Sequence, residues 1–115
     1  LAVGGMKMFL DGKCALITVT QDMYRQSGSD ESEVDAIASL PRQIEGVLVG
    51  VTMRERKDGS YKISMRSNRP INVSEICAAM GGGGHPQAAG CQVSGTLEEA
   101  TQTVIENVKK YIEKL

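Results

Sequence analysis

The chain has 115 residues, of which 41% are hydrophobic and 23% are charged, and its formal net charge is -1. This length and composition indicate one globular domain, and they exclude a disordered chain, a fibrous repeat and a strongly basic nucleic-acid coat. Aromatic residues make up only 3% of the chain, which argues against an open surface on which single-stranded bases stack. A local basic patch is compatible with these numbers.

The three cysteines are odd in number and form no CxxC pair: Cys14, Cys77 and Cys91. They are expected to be reduced thiols that fill the core. No apolar run approaches the ~18 to 20 residues of a membrane span, and the layout of a signal peptide is missing. We therefore expect a cytoplasmic chain without membrane contact. Since it starts at Leu1 and not at Met, residues 1–5 are expected to be a linker remnant or the start of an excised domain.

The sequence of the N-terminal half predicts two strands followed by two helices. Residues 6–20 hold two β-type runs around Asp11-Gly12, a dipeptide favoured in tight type I′ hairpins. Residues 21–28 are compatible with a short helix, and residues 32–40 carry apolar side chains at helical spacing. Acidic residues dominate between Asp22 and Asp35.

Residues 46–67 predict the clearest hairpin. Asp58-Gly59 is its turn, and the second strand alternates Tyr61, Ile63 and Met65 with Lys62, Ser64 and Arg66. With a two-residue loop, Glu55 would lie opposite Lys62 as a cross-strand ion pair. Basic residues outnumber acidic ones between Arg54 and Arg69.

Two capped helices are predicted in the C-terminal half. The first has Asn72 as its N-cap and Glu75 three residues on, with Ile71 and Ile76 as a hydrophobic staple, and it ends at Gly81 in the left-handed conformation. Residues 91–93 are compatible with a short strand. A second capping box at Thr96 and Glu99 starts a C-terminal helix with one apolar face, formed by Leu97, Ala100, Val104, Val108, Tyr111 and Leu115.

Interleaved strands and helices predict the α/β or α+β class: a mixed, mainly antiparallel sheet of about five strands, with helices packed on it and a helix at the C-terminus. No internal repeat or low-complexity segment is present.

The segment GGGGHPQAAG (81–90) joins four glycines to the only histidine. It is either a flexible hinge or long helix cap, or an anion site in which His85 is the N-cap of a helical turn that starts at Pro86. The P-loop pattern fails because His-Pro follows the glycines, and the dinucleotide-binding GxGxxG pattern is also missing.

His85 is by itself either an ordinary surface or core residue or a ligand contact. One histidine without a cysteine pair or a cluster of acids makes no convincing metal centre, and no second histidine completes a nucleophile-base pair. Arg66 is either a solvated charge or, together with backbone N-H groups of the glycine run, part of a phosphate site.

Three motifs together resemble a known family: SMRS (64–67), NVSEICAAM (72–80) and GGGGHPQAAG (81–90). They are similar to the C-terminal, substrate-binding domain of the DHH-type phosphoesterases. Within that superfamily the resemblance is greatest to the nano-RNase and 3′-phosphoadenosine-5′-phosphate phosphatase branch. It covers residues 6–115, which are therefore interpreted as one DHH-associated domain.

The resemblance implies a two-lobed enzyme whose N-terminal lobe holds two Mn²⁺ ions through DHH-type motifs. This chain contains no DHH triplet, so we expect no catalytic residue and no metal site in it, and no hydrolysis by the chain alone. Arg66 and Ser67 match the family's phosphate and sugar contacts, and the loop that grips the substrate terminus matches Gly81, Gly82, Gly83, Gly84 and His85. Adjacency adds Asn68, Arg69 and Gln87 as weaker candidates.

Three hypotheses about function stay open at this point. In the first, the chain is the nucleotide-binding half of a Mn²⁺-dependent phosphoesterase that acts on very short RNA, 3′-phosphoadenosine 5′-phosphate or dinucleotides. Its expected partners are a nucleotide or short single-stranded RNA or DNA, its own DHH domain and a second copy of the chain. In the second, it is a non-catalytic RNA-binding appendage like the related domain of alanyl-tRNA synthetases. In the third, the glycine run is a packing device in an interaction module.

Overall fold

The computed structural model describes residues 4–20 and 46–115, and all structural statements refer to these residues. They form two helices and six strands, and the strands make one sheet with the order β1-β2-β3-β4-β6-β5. Strands β2 and β3 are parallel, and every other neighbouring pair is antiparallel. The elements are β1 (Gly4–Phe9), β2 (Cys14–Val19), β3 (Val49–Glu55), β4 (Tyr61–Ser67), α1 (Val73–Ala78), β5 (Gly83–His85), β6 (Ala88–Val93) and α2 (Leu97–Glu113).

The predicted fold class is confirmed. The sheet has six strands and not about five, because residues 83–85 of the glycine run add an edge strand, β5. The strand predicted at residues 91–93 is the second half of β6. The helices predicted at residues 21–28 and 32–40, and most of the acidic segment, lie outside the described residues.

Both predicted hairpins are present, but their connections are longer than predicted. In the first, Phe9 pairs with Cys14, and the two left-handed turn residues are Leu10 (φ 56°) and Asp11 (φ 58°), followed by Gly12 (φ 81°). The amide of Gly12 donates to the carbonyl of Phe9 at 3.1 Å. The predicted position of the turn, centred on Asp11-Gly12, is therefore wrong by one residue.

The second connection covers residues 56–60, so Glu55 lies opposite Tyr61 and not opposite Lys62. The predicted Glu55–Lys62 pair is wrong, since Arg54 takes the position facing Lys62. The connection is longer because the side chain of Asp58 accepts hydrogen bonds from the amide (2.9 Å) and the hydroxyl (2.6 Å) of Ser60. These bonds draw Ser60 into the turn, and they lower the pKa of the Asp58 carboxyl.

Both helices pack on one side of the sheet, which we call the helix side. The predicted alternation in β4 is confirmed, with residues 61, 63, 65 and 67 buried on the helix side. Ala100, Val104 and Val108 of α2 are fully buried in the same core. Leu97 and Leu115, predicted to extend this apolar face, are 40% and 68% exposed because they lie at the ends of α2, beyond the sheet contact. Neither described helix has the length and apolar character needed to cross a membrane.

The predicted helix caps are present. The side chain of Thr96 and that of Glu99 form both halves of the capping box of α2. In α1 only one half forms: Asn72 Oδ1 accepts from the amide of Glu75 at 3.2 Å, while the amide of Asn72 donates to the hydroxyl of Tyr111 at 2.9 Å. That second bond fastens the start of α1 to α2.

The chain leaves α1 through Gly81, which is left-handed (φ 87°) as predicted. The amides of Gly81 and Gly82 donate to the carbonyls of Ala78 (3.1 Å) and Cys77 (2.9 Å). This pair of bonds is a Schellman motif, which satisfies the last helix carbonyls and turns the chain back toward the sheet.

Candidate functional site

The strand order brings two distant sequence motifs into one row. Arg66 of β4 lies opposite Ala88 of β6, and Ala88 lies opposite His85 of β5. Directly paired residues share a face of the sheet, so all three side chains leave the same face. Two strand spacings separate Arg66 from His85, roughly 10 Å between their Cα atoms.

This face is opposite to the helix side. On β4 the half-exposed side chains are Lys62, Ser64 and Arg66, which alternate with the core residues. Their pairing partners extend the face across two more strands. We call it the open face, formed by Lys62, Ser64, Arg66, Gly83, His85, Ala88, Gly90 and Gln92.

The centre of the open face carries only small side chains. Ser64 pairs with Gly90, and Gly90 pairs with Gly83, so the row next to Arg66 and His85 has no bulky group. On β2 and β3 the same side of the sheet is buried at Ile17, Val19 and Thr52, which confines the open part to β4, β6 and β5. The result is a flat floor with Arg66 and His85 along one end and Lys62 at the other.

Gln92 marks the other end of the open face. Its side chain accepts from the guanidinium of Arg56 at 3.2 Å and donates to the hydroxyl of Ser60 at 3.0 Å. Since Ser60 is bonded to Asp58, the β3–β4 connection is fastened to β6 by a chain of side-chain hydrogen bonds. The side chain of Gln92 is therefore already engaged, and Lys62, which lies opposite it on β4, is the cation at this end of the floor.

Arg66 has donors to spare for a ligand. One guanidinium nitrogen donates to the carbonyl of Met65 at 3.1 Å, and the side chain is half exposed. A guanidinium has five N-H donors in a fork that matches phosphate oxygens. The structure thus leaves most of this group available to an anion on the open face.

The glycine run does not precede a helix, so the predicted anion site at a helix N-terminus is wrong. Residues 83–85 form β5, Pro86 and Gln87 form a two-residue turn, and β6 follows. The amides of Gly81 and Gly82 are used to cap α1. Strand β5 has one sheet neighbour, and its other edge is open within the described part of the chain.

Close packing explains why glycine stands at position 82. A Cβ there would lie 2.6 Å from the Cβ of Cys91 and would also strike the backbone of Gly90. At Gly83, by contrast, a Cβ would meet nothing within 4 Å. At Gly84 (φ 150°) a Cβ would lie 2.8 Å from the carbonyl oxygen of Ala88, so the run has a structural role at its first, second and fourth positions and leaves an uncovered surface at the third.

The Pro86–Gln87 turn is held firmly against the chain that follows β4. The carbonyl of Pro86 accepts from the amide of Val73 at 2.7 Å, and the carbonyl of Gln87 accepts from the amide of Ser67 at 3.1 Å. The side chain of Gln87 donates to the carbonyl of Ile71 at 3.3 Å. These bonds fix His85 and Arg66 relative to each other.

Ser67 and Gln87 thus have structural partners. Ser67 is 1% exposed on the helix side, and its hydroxyl donates to the carbonyl of Ile71 at 2.8 Å. A direct contact of either side chain with a ligand stays a prediction. Asn68 and Arg69 are exposed in the connection after β4, at the same end of the sheet as the Pro86–Gln87 turn.

Reasoning from the sequence missed the floor itself. Ser64, Ala88 and Gly90 were not singled out, although residues 88–90 are Ala, Ala and Gly and Ser64 lies two residues before Arg66. That run of small residues is the signal that could have found them. Among the described residues, no group of three or more His, Cys, Asp or Glu side chains could hold a metal ion.

Comparison with known proteins gives the family. The DHHA1 domain matches residues 12–114, nearly the whole chain, which therefore belongs to the DHHA1 domain family. The resemblance noted from the sequence is confirmed. Domains of this family occur in DHH-family phosphoesterases, and the named relatives are nucleotide-processing enzymes.

Two curated relatives illustrate this. The bifunctional oligoribonuclease and PAP phosphatase NrnA of Thermus thermophilus is 35% identical over 95 residues, covering 82% of this chain and 29% of that protein. The cyclic-di-AMP phosphodiesterase GdpP of Geobacillus thermodenitrificans is 38% identical over 71 residues, covering 61% of this chain and 11% of that protein. The chain thus spans less than a third of either relative.

Two solved structures share the fold. An exopolyphosphatase-related protein from Bacteroides fragilis superposes with a TM-score of 0.84 at 29% identity, covering 92% of this chain and 31% of that one. A pGpG-specific phosphodiesterase from Vibrio cholerae has a TM-score of 0.58 at 14% identity, covering 94% of this chain and 35% of that one. The second likeness concerns the fold alone.

Proposed function

We propose that this chain is the nucleotide-binding part of a DHH-type phosphoesterase and that the open face receives the nucleotide. A phosphate would lie at the row of Arg66 and His85, and the sugar and base would extend over the floor of Ser64, Ala88 and Gly90. The observation that carries the proposal is the register that aligns Arg66, Ala88 and His85 on one uncovered face.

The chemistry of this row suits a terminal phosphate. The guanidinium of Arg66 can donate two parallel hydrogen bonds to phosphate oxygens, and the imidazole of His85 can add a third donor from the neighbouring strand. The small floor lets a planar or sugar group approach the sheet without a steric barrier. Arg66 and His85 would therefore bind and orient the substrate, and neither would perform the bond cleavage.

We propose short RNA, 3′-phosphoadenosine 5′-phosphate and dinucleotides as the substrate class, supported by the activities for which NrnA and GdpP are named. Cleavage would need a DHH domain, for which this chain would be the partner. Two Mn²⁺ ions in that domain would supply an activated water and stabilise the leaving oxygen. The contribution of the present chain is to hold the phosphate and to exclude misaligned substrates.

Calorimetric titration with adenosine 3′,5′-bisphosphate tests the proposal. One or two charge-assisted hydrogen bonds of about 1.5 to 3 kcal/mol each predict a dissociation constant on the order of a millimolar for the chain without its partner domain. We expect His85→Ala to weaken this binding several-fold. Lys110→Ala, which removes a cation from α2 on the helix side, should leave it unchanged.

The same titration with a folded tRNA distinguishes the RNA-appendage hypothesis from the proposed nucleotide-binding function. That hypothesis predicts tighter binding of tRNA than of the bisphosphate, with an affinity that falls steeply with salt because several phosphates are contacted. Equal, weak binding of both ligands by wild type and His85→Ala would contradict a specific site on the open face.

A further inference from the structure

Two of the three cysteines meet beside the glycine run. Cys77 lies in α1 and Cys91 in β6; Cys77 is part of the core cluster, and Cys91 packs against that cluster. Gly82 sits between them: its amide donates to the carbonyl of Cys77 at 2.9 Å, and its absent Cβ is what lets the chain pass Cys91. The same glycine thus contacts the backbone of Cys77 and the side chain of Cys91, which places the two cysteines next to each other.

The two thiols differ in exposure and in acidity. Cys77 is fully buried, whereas Cys91 is partly exposed. The hydrogen bond that Cys77 donates, followed by burial, raises the pKa of Cys77, and the same hydrogen bond lowers the pKa of Cys91. The thiol that solvent reaches is therefore the one that ionises more readily, which is the arrangement of an attacking thiol with a resolving thiol beside it.

We propose that Cys77 and Cys91 form a reversible, peroxide-oxidisable dithiol, with Cys91 as the attacking thiol and Cys77 as the resolving one. The thiolate of Cys91 attacks one oxygen of hydrogen peroxide, the O–O bond breaks, and the hydroxide that leaves takes up a proton to become water. Cys91 is then a sulfenic acid. The sulfur of Cys77 displaces that hydroxyl as a second water, using the thiol proton of Cys77. Two thiols lose two electrons to one peroxide, and a thiol reductant returns them.

The bond would join the end of α1 to β6 across Gly82. Because β6 lies between Arg66 and His85, oxidation would tether the glycine run next to the open face. This inference rests on the proximity of the two cysteines and not on the proposed function, so each can fail without the other.

Peptide mass spectrometry of the folded protein tests the proposal. After exposure to equimolar hydrogen peroxide, denaturation and alkylation, we expect a linked pair of peptides containing Cys77 and Cys91, lighter by two hydrogen atoms, which dithiothreitol separates. Cys14 is the internal control, since it is buried in β2, where burial raises its pKa to about 12, and it should remain alkylatable. Full alkylation of Cys77 and Cys91 after peroxide, or a bond to Cys14, would overturn the proposal.

Single variants separate the two roles. Cys77→Ser should stop the reaction at the sulfenic acid of Cys91, which dimedone labels, and Cys91→Ser should abolish peroxide consumption. Cys14→Ser should form the Cys77–Cys91 bond as wild type does. Dimedone labelling of Cys77 in Cys91→Ser would contradict the assigned roles, and the wild-type peptide map decides the proposal even if one variant fails to fold.

Discussion

Arg66 is the residue whose surroundings favour a ligand role most strongly. Its neighbours Met65 and Ser67 are buried on the helix side, so alternation in β4 directs its guanidinium to the open face. The motif SMRS therefore carries two functions in one strand: Ser67 fastens the following chain, and Arg66 remains available. The sequence motif identifies the residue types, but only the burial pattern shows that Ser67 faces the core and Arg66 faces the open face.

Replacing Arg66 with alanine should weaken binding of adenosine 3′,5′-bisphosphate by about tenfold or more, because a charge-assisted hydrogen bond contributes roughly 1.5 to 3 kcal/mol. Arg66→Lys should recover only part of the loss, since an ammonium cannot form the two-pronged contact. Calorimetry of the variants measures this. Lys57→Ala removes an equal charge from the β3–β4 connection, and an equal loss in that variant would show that net charge and not position governs binding.

Tyr111→Phe should lower the free energy of unfolding by about 1 kcal/mol, because the amide of Asn72 loses its acceptor. Chemical denaturation measures the effect. Tyr61→Phe is the matched control: burial raises the pKa of Tyr61, and its hydroxyl forms no hydrogen bond with the described residues, so the substitution should be nearly neutral. Equal effects of the two substitutions would mean that the bond between α1 and α2 is not stabilising.

Among the elements, β5 differs most from what the sequence indicates. Four glycines carry no strand propensity, and Pro86 after His85 suggests the start of a helix. The strand forms because the backbone of residues 81–84 can approach β6 closely enough to pair with it, which only the absence of a Cβ permits at Gly82. Local patterns do not contain that contact, whereas the N-caps Asn72 and Thr96 are local and are confirmed, although the capping box is complete only in α2.

Gly82→Ala and Gly83→Ala form a matched pair. The first inserts a methyl group 2.6 Å from the Cβ of Cys91 and should destabilise the fold by roughly 1 to 3 kcal/mol. At Gly83 a Cβ has open space, so alanine should change stability by no more than about 0.5 kcal/mol. Thermal or urea unfolding of both variants gives the comparison, and a larger loss at Gly83 would contradict the proposed packing.

The N-terminus of α2 gives a further prediction. Thr96→Ala should cost about 1 kcal/mol, because the amide of Glu99 loses its cap. Thr103→Ala in the same helix should be neutral or stabilising, since the hydroxyl of Thr103 bonds back to the carbonyl of Glu99 and alanine has the higher helix propensity. Urea denaturation separates the two. A loss in Thr103→Ala as large as that in Thr96→Ala would contradict the capping role.

The same cap predicts a pH dependence. Hydrogen bonds from Thr96, the backbone one first, lower the pKa of Glu99 below its ordinary value of 4.5. A carboxyl whose pKa is lowered on folding stabilises the fold above its unfolded pKa, and this contribution is lost as the pH falls through the folded value. Carboxyl NMR titration should show the pKa of Glu99 rising only in part toward 4.5 in Thr96→Ala, because alanine removes the hydroxyl and keeps the backbone amide, the larger cause, while the pKa of Asp58 stays low. A complete return of the Glu99 pKa to 4.5 would contradict the leading role of the Thr96 amide.

In the whole molecule, the site depends on strand order, which the sequence did not reveal. Arg66 and His85 are 19 positions apart, and they align only because β6 enters the sheet between β4 and β5. The candidate residues could therefore be chosen from motifs, but their arrangement could not. The helix start predicted after the glycines is a strand and a turn, and the surface that we propose for the ligand is the flat face of small residues with Arg66 and His85 along one end.

Comparing the open face with the helix side of the sheet gives a direct test of nucleotide binding on the open face. Backbone amide NMR shifts, followed as adenosine 3′,5′-bisphosphate is titrated to millimolar concentration, should move for residues 64, 66, 85 and 88. Signals of residues 107–115 in and after α2 should stay in place. Shifts confined to α2, or none on the open face at saturating ligand, would contradict nucleotide binding by Arg66 and His85.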